Sequence, residues 1–153
     1  MRSFAIFFSI IFFLATACKT QKPAKSNAPI LISYSKTPCF GSCGVFDLTI
    51  YQDGNAEINK KRFIEPVGQF KINIGKKEIN QIKDIIAEID ACKMDSIYGA
   101  NVSDLPSTII TLKCEKSYKT VIAIMGYPKK LDILNRKMMD IVKLKEWEPV
   151  VFD

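Results

Sequence analysis

Five cysteines carry most of the reactive chemistry open to this 153-residue chain, because it contains no histidine. That removes the usual general base near neutral pH and every histidine-bearing zinc site. Cys39 and Cys43 stand closest together, in Pro38-Cys39-Phe40-Gly41-Ser42-Cys43-Gly44. Gly41 and Gly44 there can take the positive φ that a tight loop requires. Two thiols so placed can close a structural bridge, which for so short a ring contributes only about 2 kcal/mol. Alternatively they can exchange disulfides, one attacking and the other resolving. The spacing is Cys-x3-Cys, and the loop leads into a predicted strand, so no helix N-terminus is at hand to lower a thiol pKa. A structural bridge is the expectation, with thiol–disulfide exchange as the alternative. Phe40 and Gly41, held inside the loop, are the candidate binding residues, and Phe40 serves equally well as a plug in the core. Thr49 and Tyr51, facing outward from the next strand, come second. Cys92 and Cys114 either bridge to each other or stay as buried thiols.

Other reactive patterns fade on inspection. Ser33-Tyr34-Ser35-Lys36 fits Ser-x-x-Lys, but that nucleophile needs a helix and the Ser-Asp-Asn and Lys-Thr-Gly supports. This copy lies on a predicted strand, and Ser103-Asp104 is followed by leucine. No Gly-x-Ser-x-Gly elbow, phosphate loop or dinucleotide glycine pattern occurs, and the carboxylates are too scattered for a glycosidase pair. A non-catalytic binding or structural module is expected, with no cofactor and no metal.

Cys18 differs in kind, since it closes Leu14-Ala15-Thr16-Ala17-Cys18 behind the apolar stretch Phe4 to Leu14 and the basic Arg2. A positive start, a short apolar run and small residues before the cut make a secretory signal. With cysteine in the first mature position, residues 1–18 resemble a bacterial lipoprotein signal, although Leu14 sits one place earlier than in the commonest pattern. The apolar run is too short for a spanning helix, which needs about 20 residues. The expected division is a signal peptide at 1–17, a lipidated Cys18 with a flexible tether at 18–29, and one domain at 30–153. As a coil, the eleven residues from Lys19 to Pro29 span on the order of 18 Å. Removing residues 1–17 lowers the net charge from +6 to +5. Export and widely spread lysines argue against nucleic acid as a partner. The expected location is the cell envelope, facing the periplasm and held to a membrane by lipid on Cys18, with an envelope protein or cell-wall ligand as partner. Lys60-Lys61-Arg62, the tightest basic cluster, reads as a solvated surface or edge protection.

The elements that must position these residues follow from periodicity. Ile30–Lys36 is apolar and β-prone. Val45–Tyr51 alternates, with Phe46, Leu48 and Ile50 on one face. Asp53-Gly54 signals a hairpin returning towards Ile64, and Pro66-Val67-Gly68 turns into a strand at Gln69–Ile74. Ile79, Ile82, Ile86 and Ile89 then recur at helical spacing, widened by Ile85, with Gly75 as cap and Glu78 in the first turn. Ser107–Glu115 and Tyr118–Met125 form a second hairpin, in which Ile110, Leu112 and Cys114 share one face and Ile122 and Ile124 another. Pro128 opens a second helix striped by Leu131, Leu134, Met138 and Ile141, with Trp147 packing at its end. The predicted class is α+β: an antiparallel sheet of two hairpin groups, with two amphipathic helices packed on one face.

Thr37-Pro38-Cys39-Phe40-Gly41-Ser42-Cys43, followed by Ile50-Tyr51-Gln52-Asp53-Gly54 and Ser103-Asp104-Leu105-Pro106, resembles domain of unknown function 6438. Members of that family are common among bacterial lipoproteins and carry a Pro-Cys-Phe-Gly-x-Cys motif. The likeness runs from about Ile32 to Trp147. Members often place proline after the second cysteine and tyrosine two positions later, where this chain has Gly44 and Phe46. The resemblance implies a shared fold and assigns no reaction.

Overall fold

A computed structural model describes residues 26–99 and 105–151; Cys18, the signal segment and most of the tether lie outside them. Eight strands form a single sheet: β1 (Ile30–Lys36), β2 (Val45–Tyr51), β3 (Asn55–Arg62), β4 (Gly68–Asn73), β5 (Ile97–Tyr98), β6 (Thr108–Lys113), β7 (Tyr118–Ala123) and β8 (Glu148–Pro149). Their order is β5-β7-β6-β1-β2-β3-β4-β8. All neighbours are antiparallel except β5 and β7, which run parallel. The fold is α+β, and β1 joins the two hairpin groups by pairing with β2 on one side and β6 on the other.

One face of the sheet is apolar because β1, β2, β3 and β6 alternate in phase. Ile110, Tyr34, Leu48, Ile58 and Phe70 lie in register across five strands and are all buried. Helix α1 (Gly75–Glu88) buries Ile79, Ile82 and Ile86 against this layer, and α2 (Leu131–Val142) buries Leu131, Leu134, Met138 and Ile141. Each fully buried aliphatic side chain contributes roughly 1.5–3 kcal/mol. That outweighs the few tenths lost to isoleucine's stiff χ1 in α1. Lys137 of α2 pairs with Glu78 of α1 and also donates to Gln81 at 2.6 Å, tying the helices together.

In β7 Ile122 faces outward opposite Ile109, on the other face from Ile110 and Leu112, and the core face belongs to Val121 and Ala123. Two local expectations are corrected. Pro128 does not open α2: its carbonyl accepts from the Leu131 amide, and the helix begins at Leu131. Lys60, Lys61 and Arg62 lie on β3, between β2 and β4, so they protect no edge. The edges are instead the two short strands, and Pro149 on β8 is tolerated there because an edge strand need not donate on its outer side.

The bridge between Cys92 and Cys114, with Cα atoms 5.9 Å apart, settles the alternative for these two residues. It links the 3-10 turn Ala91–Lys93 after α1 to the end of β6. At the β2–β3 hairpin, Asp53 accepts from the Asn55 amide and from the Ser26 hydroxyl, and Asn73 donates to Asn55. The start of the described chain is thereby fastened to the end of the sheet opposite the Cys39–Cys43 loop.

Candidate functional site

Inside the Cys39–Cys43 loop, the two half-buried cysteines are bridged with Cα atoms 5.8 Å apart. Gly41 has a φ of 145°, and its amide donates to the Cys39 carbonyl at 2.9 Å. Gly44 does not adopt positive φ; what matters there is its size. A Cβ at Gly44 would lie 2.7 Å from Cδ1 and Cγ1 of Ile64, so the glycine lets the loop sit directly on the β3–β4 connection. Phe40 is 94% exposed and plugs nothing. The sequence left that choice open because a loop has no periodicity to reveal which way a side chain points.

The β3–β4 connection is itself unusual. Phe63 holds a φ of 56°, a left-handed conformation that costs a non-glycine residue on the order of 1–3 kcal/mol and tends to occur at functional positions. Its ring is 52% exposed, and the Arg62 guanidinium lies 5.1 Å from its centroid. Phe63, Ile64 and Met139 together form a wall shared by two clefts. The first, about 370 Å³, reaches from Cys43 and Gly44 to Lys36, Phe46 and Pro106. The second, about 550 Å³, lies between the end of the sheet and the C-terminal turn of α2, and includes Lys60, Phe70 and Trp147.

Lys36 and Lys60 are the functional candidates that the sequence did not reveal. Thr108, Lys36, Phe46 and Lys60 stand in register across β6, β1, β2 and β3, so both lysines belong to the apolar face. The signal was present in the alternation Ile32-Tyr34-Lys36 and Ala56-Ile58-Lys60, hidden by reading Lys60 as part of a surface cluster. Lys36 donates to the Thr108 hydroxyl, and Lys60 is only 6% exposed with its ammonium 5.0 Å from the Phe70 ring centroid. Burial lowers the pKa of both. No carboxylate pairs with either among the described residues. Beside them the buried Tyr34 hydroxyl has no hydrogen bond of good geometry, and burial pushes that phenol well above its ordinary range.

The remaining sequence candidates are separate from this end. Ser33 pairs with Thr49 on the outer face whereas Lys36 lies in register with the buried row, so the Ser-x-x-Lys lysine cannot activate its serine. Thr49 lines a cleft of about 360 Å³ on the outer face with Asp47, Glu57 and Lys71. Polar groups there satisfy one another: Lys61 pairs with Asp47 at 2.5 Å, and Tyr51 donates to Glu57 at 3.2 Å. Desolvation raises the Asp47 carboxyl, but hydrogen bonds from Lys61 and Ser35 and the Lys61 charge more than offset it and hold the pKa below its usual range. Polar groups on that face satisfy one another, whereas the loop end combines exposed aromatics with two lysines that no carboxylate neutralises among the described residues.

A family model described as domain of unknown function (DUF6438) matches residues 30–142. No curated protein matches the chain.

Proposed function

The chain belongs to the domain of unknown function 6438 family, and we propose, from the signal-like run ending at Cys18 and the geometry of the loop end, that it is a lipid-anchored protein of the bacterial cell envelope whose folded domain binds rather than catalyses. Phe40 carries this reading. A fully exposed phenylalanine on a loop clamped by a disulfide and seated on Ile64 loses little freedom when a partner covers it, and such preorganisation favours binding. The expected partner is an envelope protein or a cell-wall component.

Polarity along the domain supports the same reading. Ser26 is fastened to the β2–β3 hairpin, and β1 runs seven residues from there to the Cys39–Cys43 loop, roughly 20 Å at about 3.3 Å per residue. A tether leading back to Cys18 therefore leaves from one end, and the binding loop is presented at the other, away from the membrane.

Three measurements test the proposal. Cells expressing the full chain and fed an alkynyl fatty acid should label it, and Cys18→Ala should abolish both label and membrane fractionation; equal labelling of the two would refute the anchor. A photo-crosslinking phenylalanine analogue at position 40 should capture an envelope component that the same probe at Tyr118, an exposed aromatic near the opposite end, does not. For the bridge, a reduction potential below about −300 mV marks a structural staple, whereas roughly −120 to −230 mV would mark an exchange site and displace the binding reading.

A further inference from the structure

We infer that the cleft floored by Lys60 is a binding site for an amphiphilic carboxylate, with the Lys60 ammonium taking the carboxylate and the aromatic and aliphatic walls taking the apolar chain. The inference deepens the proposed binding role and rests on it. An ammonium has three N–H donors, and Lys60, only 6% exposed, has no hydrogen bond or ion pair among the described residues. Its one partner is the Phe70 ring at 5.0 Å. Such a contact replaces only part of the hydration that a side chain so little exposed gives up. The remaining donors are not sealed in the core but border the cleft, where an anion can take them.

The surroundings define the rest of the ligand. Phe63, Ile64, Phe70, Met139, Leu144 and Trp147 supply apolar walls, and the volume of about 550 Å³ lies within the roughly 300–1,000 Å³ of small-molecule sites. At the rim Lys143 and Lys145 outnumber Glu65, whose carboxylate already accepts from the Val67 amide. A single ammonium on the cleft floor matches a monoanion; a phosphate dianion would carry excess charge into the same apolar site. Because the cleft lies at the end of the sheet remote from Ser26, the ligand reaches it from the aqueous side.

Trp147 is the sole tryptophan of the chain and lines this cleft, so its emission reports occupancy. The full chain in phosphatidylcholine vesicles would be titrated with dodecanoate, with dodecanol and dodecyltrimethylammonium as neutral and cationic counterparts. Dodecanoate should shift Trp147 emission saturably, and Lys60→Met should weaken its apparent affinity at least tenfold while leaving dodecanol unchanged and the melting temperature equal or higher. Leu144→Glu, which places a negative charge at the rim from an exposed position, should weaken dodecanoate comparably and covers the case in which Lys60→Met fails to fold. Equal affinity for dodecanoate and dodecanol, no loss in either variant, or no change in emission would overturn the inference. So would an emission change produced by phosphatidylglycerol in the vesicles alone, which would assign the site to a bilayer headgroup. Failure of these titrations with position-40 crosslinking intact would remove the carboxylate site and leave the binding role standing.

Discussion

Lysines on an apolar face alter how the domain responds to pH. Burial lowers the pKa of Lys36 and Lys60 below the ordinary 10.5, so the native state binds fewer protons than the unfolded chain between the lowered value and 10.5. Stability rises with pH across that window. Tyr34, raised by burial, and Tyr51, raised by burial and by Glu57, work in the opposite direction, because the native state holds their protons above about pH 10. Urea midpoints should therefore climb with pH on approaching about 10 and fall beyond it, and Lys60→Met should flatten the climb without abolishing it, since Lys36 remains. A climb of undiminished slope in Lys60→Met would remove Lys60 as a source. Phe40→Ala should leave stability within about 0.5 kcal/mol, as surface substitutions do, while weakening binding to whatever component the position-40 probe captures. The sequence offered Phe40 as a candidate without saying which way it points, and it did not reveal Lys60 at all. Phe40 lies where no period operates, and Lys60 was in phase with Ala56 and Ile58 but read as surface because its neighbours are Lys61 and Arg62.

At the scale of elements, the contact between Gly44 and Ile64 couples two connections that are distant in sequence. Gly44→Ala puts a methyl 2.7 Å from the Ile64 side chain, an overpacking that typically costs 1–3 kcal/mol, to which we assign about 2 kcal/mol. Ile64→Ala removes both clashing carbons, so in chemical denaturation the double variant should be less destabilised than the sum of the single ones, with a coupling above about 0.5 kcal/mol. Additive losses would mean that the loop moves away instead of resting on Ile64. Most elements were legible in the sequence, because Val45–Tyr51 alternates with period two and the isoleucines of α1 recur with period 3.6. What was not legible followed from tertiary pairing. Strands β5 and β8 are too short to carry a pattern and exist only because β7 and β4 offer open edges. In β7, Ile122 is more apolar than its neighbours, yet pairing opposite Ile109 turns it outward and gives the core to Val121 and Ala123.

For the whole molecule, the Cys92–Cys114 bridge closes a segment with a sequence separation of 22, which the chain-entropy relation values at about 3 kcal/mol. Against a typical total of 5–15 kcal/mol for a domain, that is a large share. Cys92→Ala with Cys114→Ala should lower the urea midpoint markedly, whereas Cys39→Ala with Cys43→Ala should cost less, about 2 kcal/mol from its shorter ring. The reverse ranking would show that the small loop stabilises more than its own geometry. Strand β1, central in the sheet, imposes a different constraint on the time course of synthesis. Its partner on one side, β2, follows almost at once, but Tyr34 meets Ile110 on the other, so that edge stays open until the chain has grown through β6. Pairings of such separation are slow to form, and an unpaired central strand is a template for association with other chains. A nascent chain halted before Thr108 would thus expose an adhesive ribbon, and a protein of this design depends on being kept apart from its own copies until its second hairpin arrives.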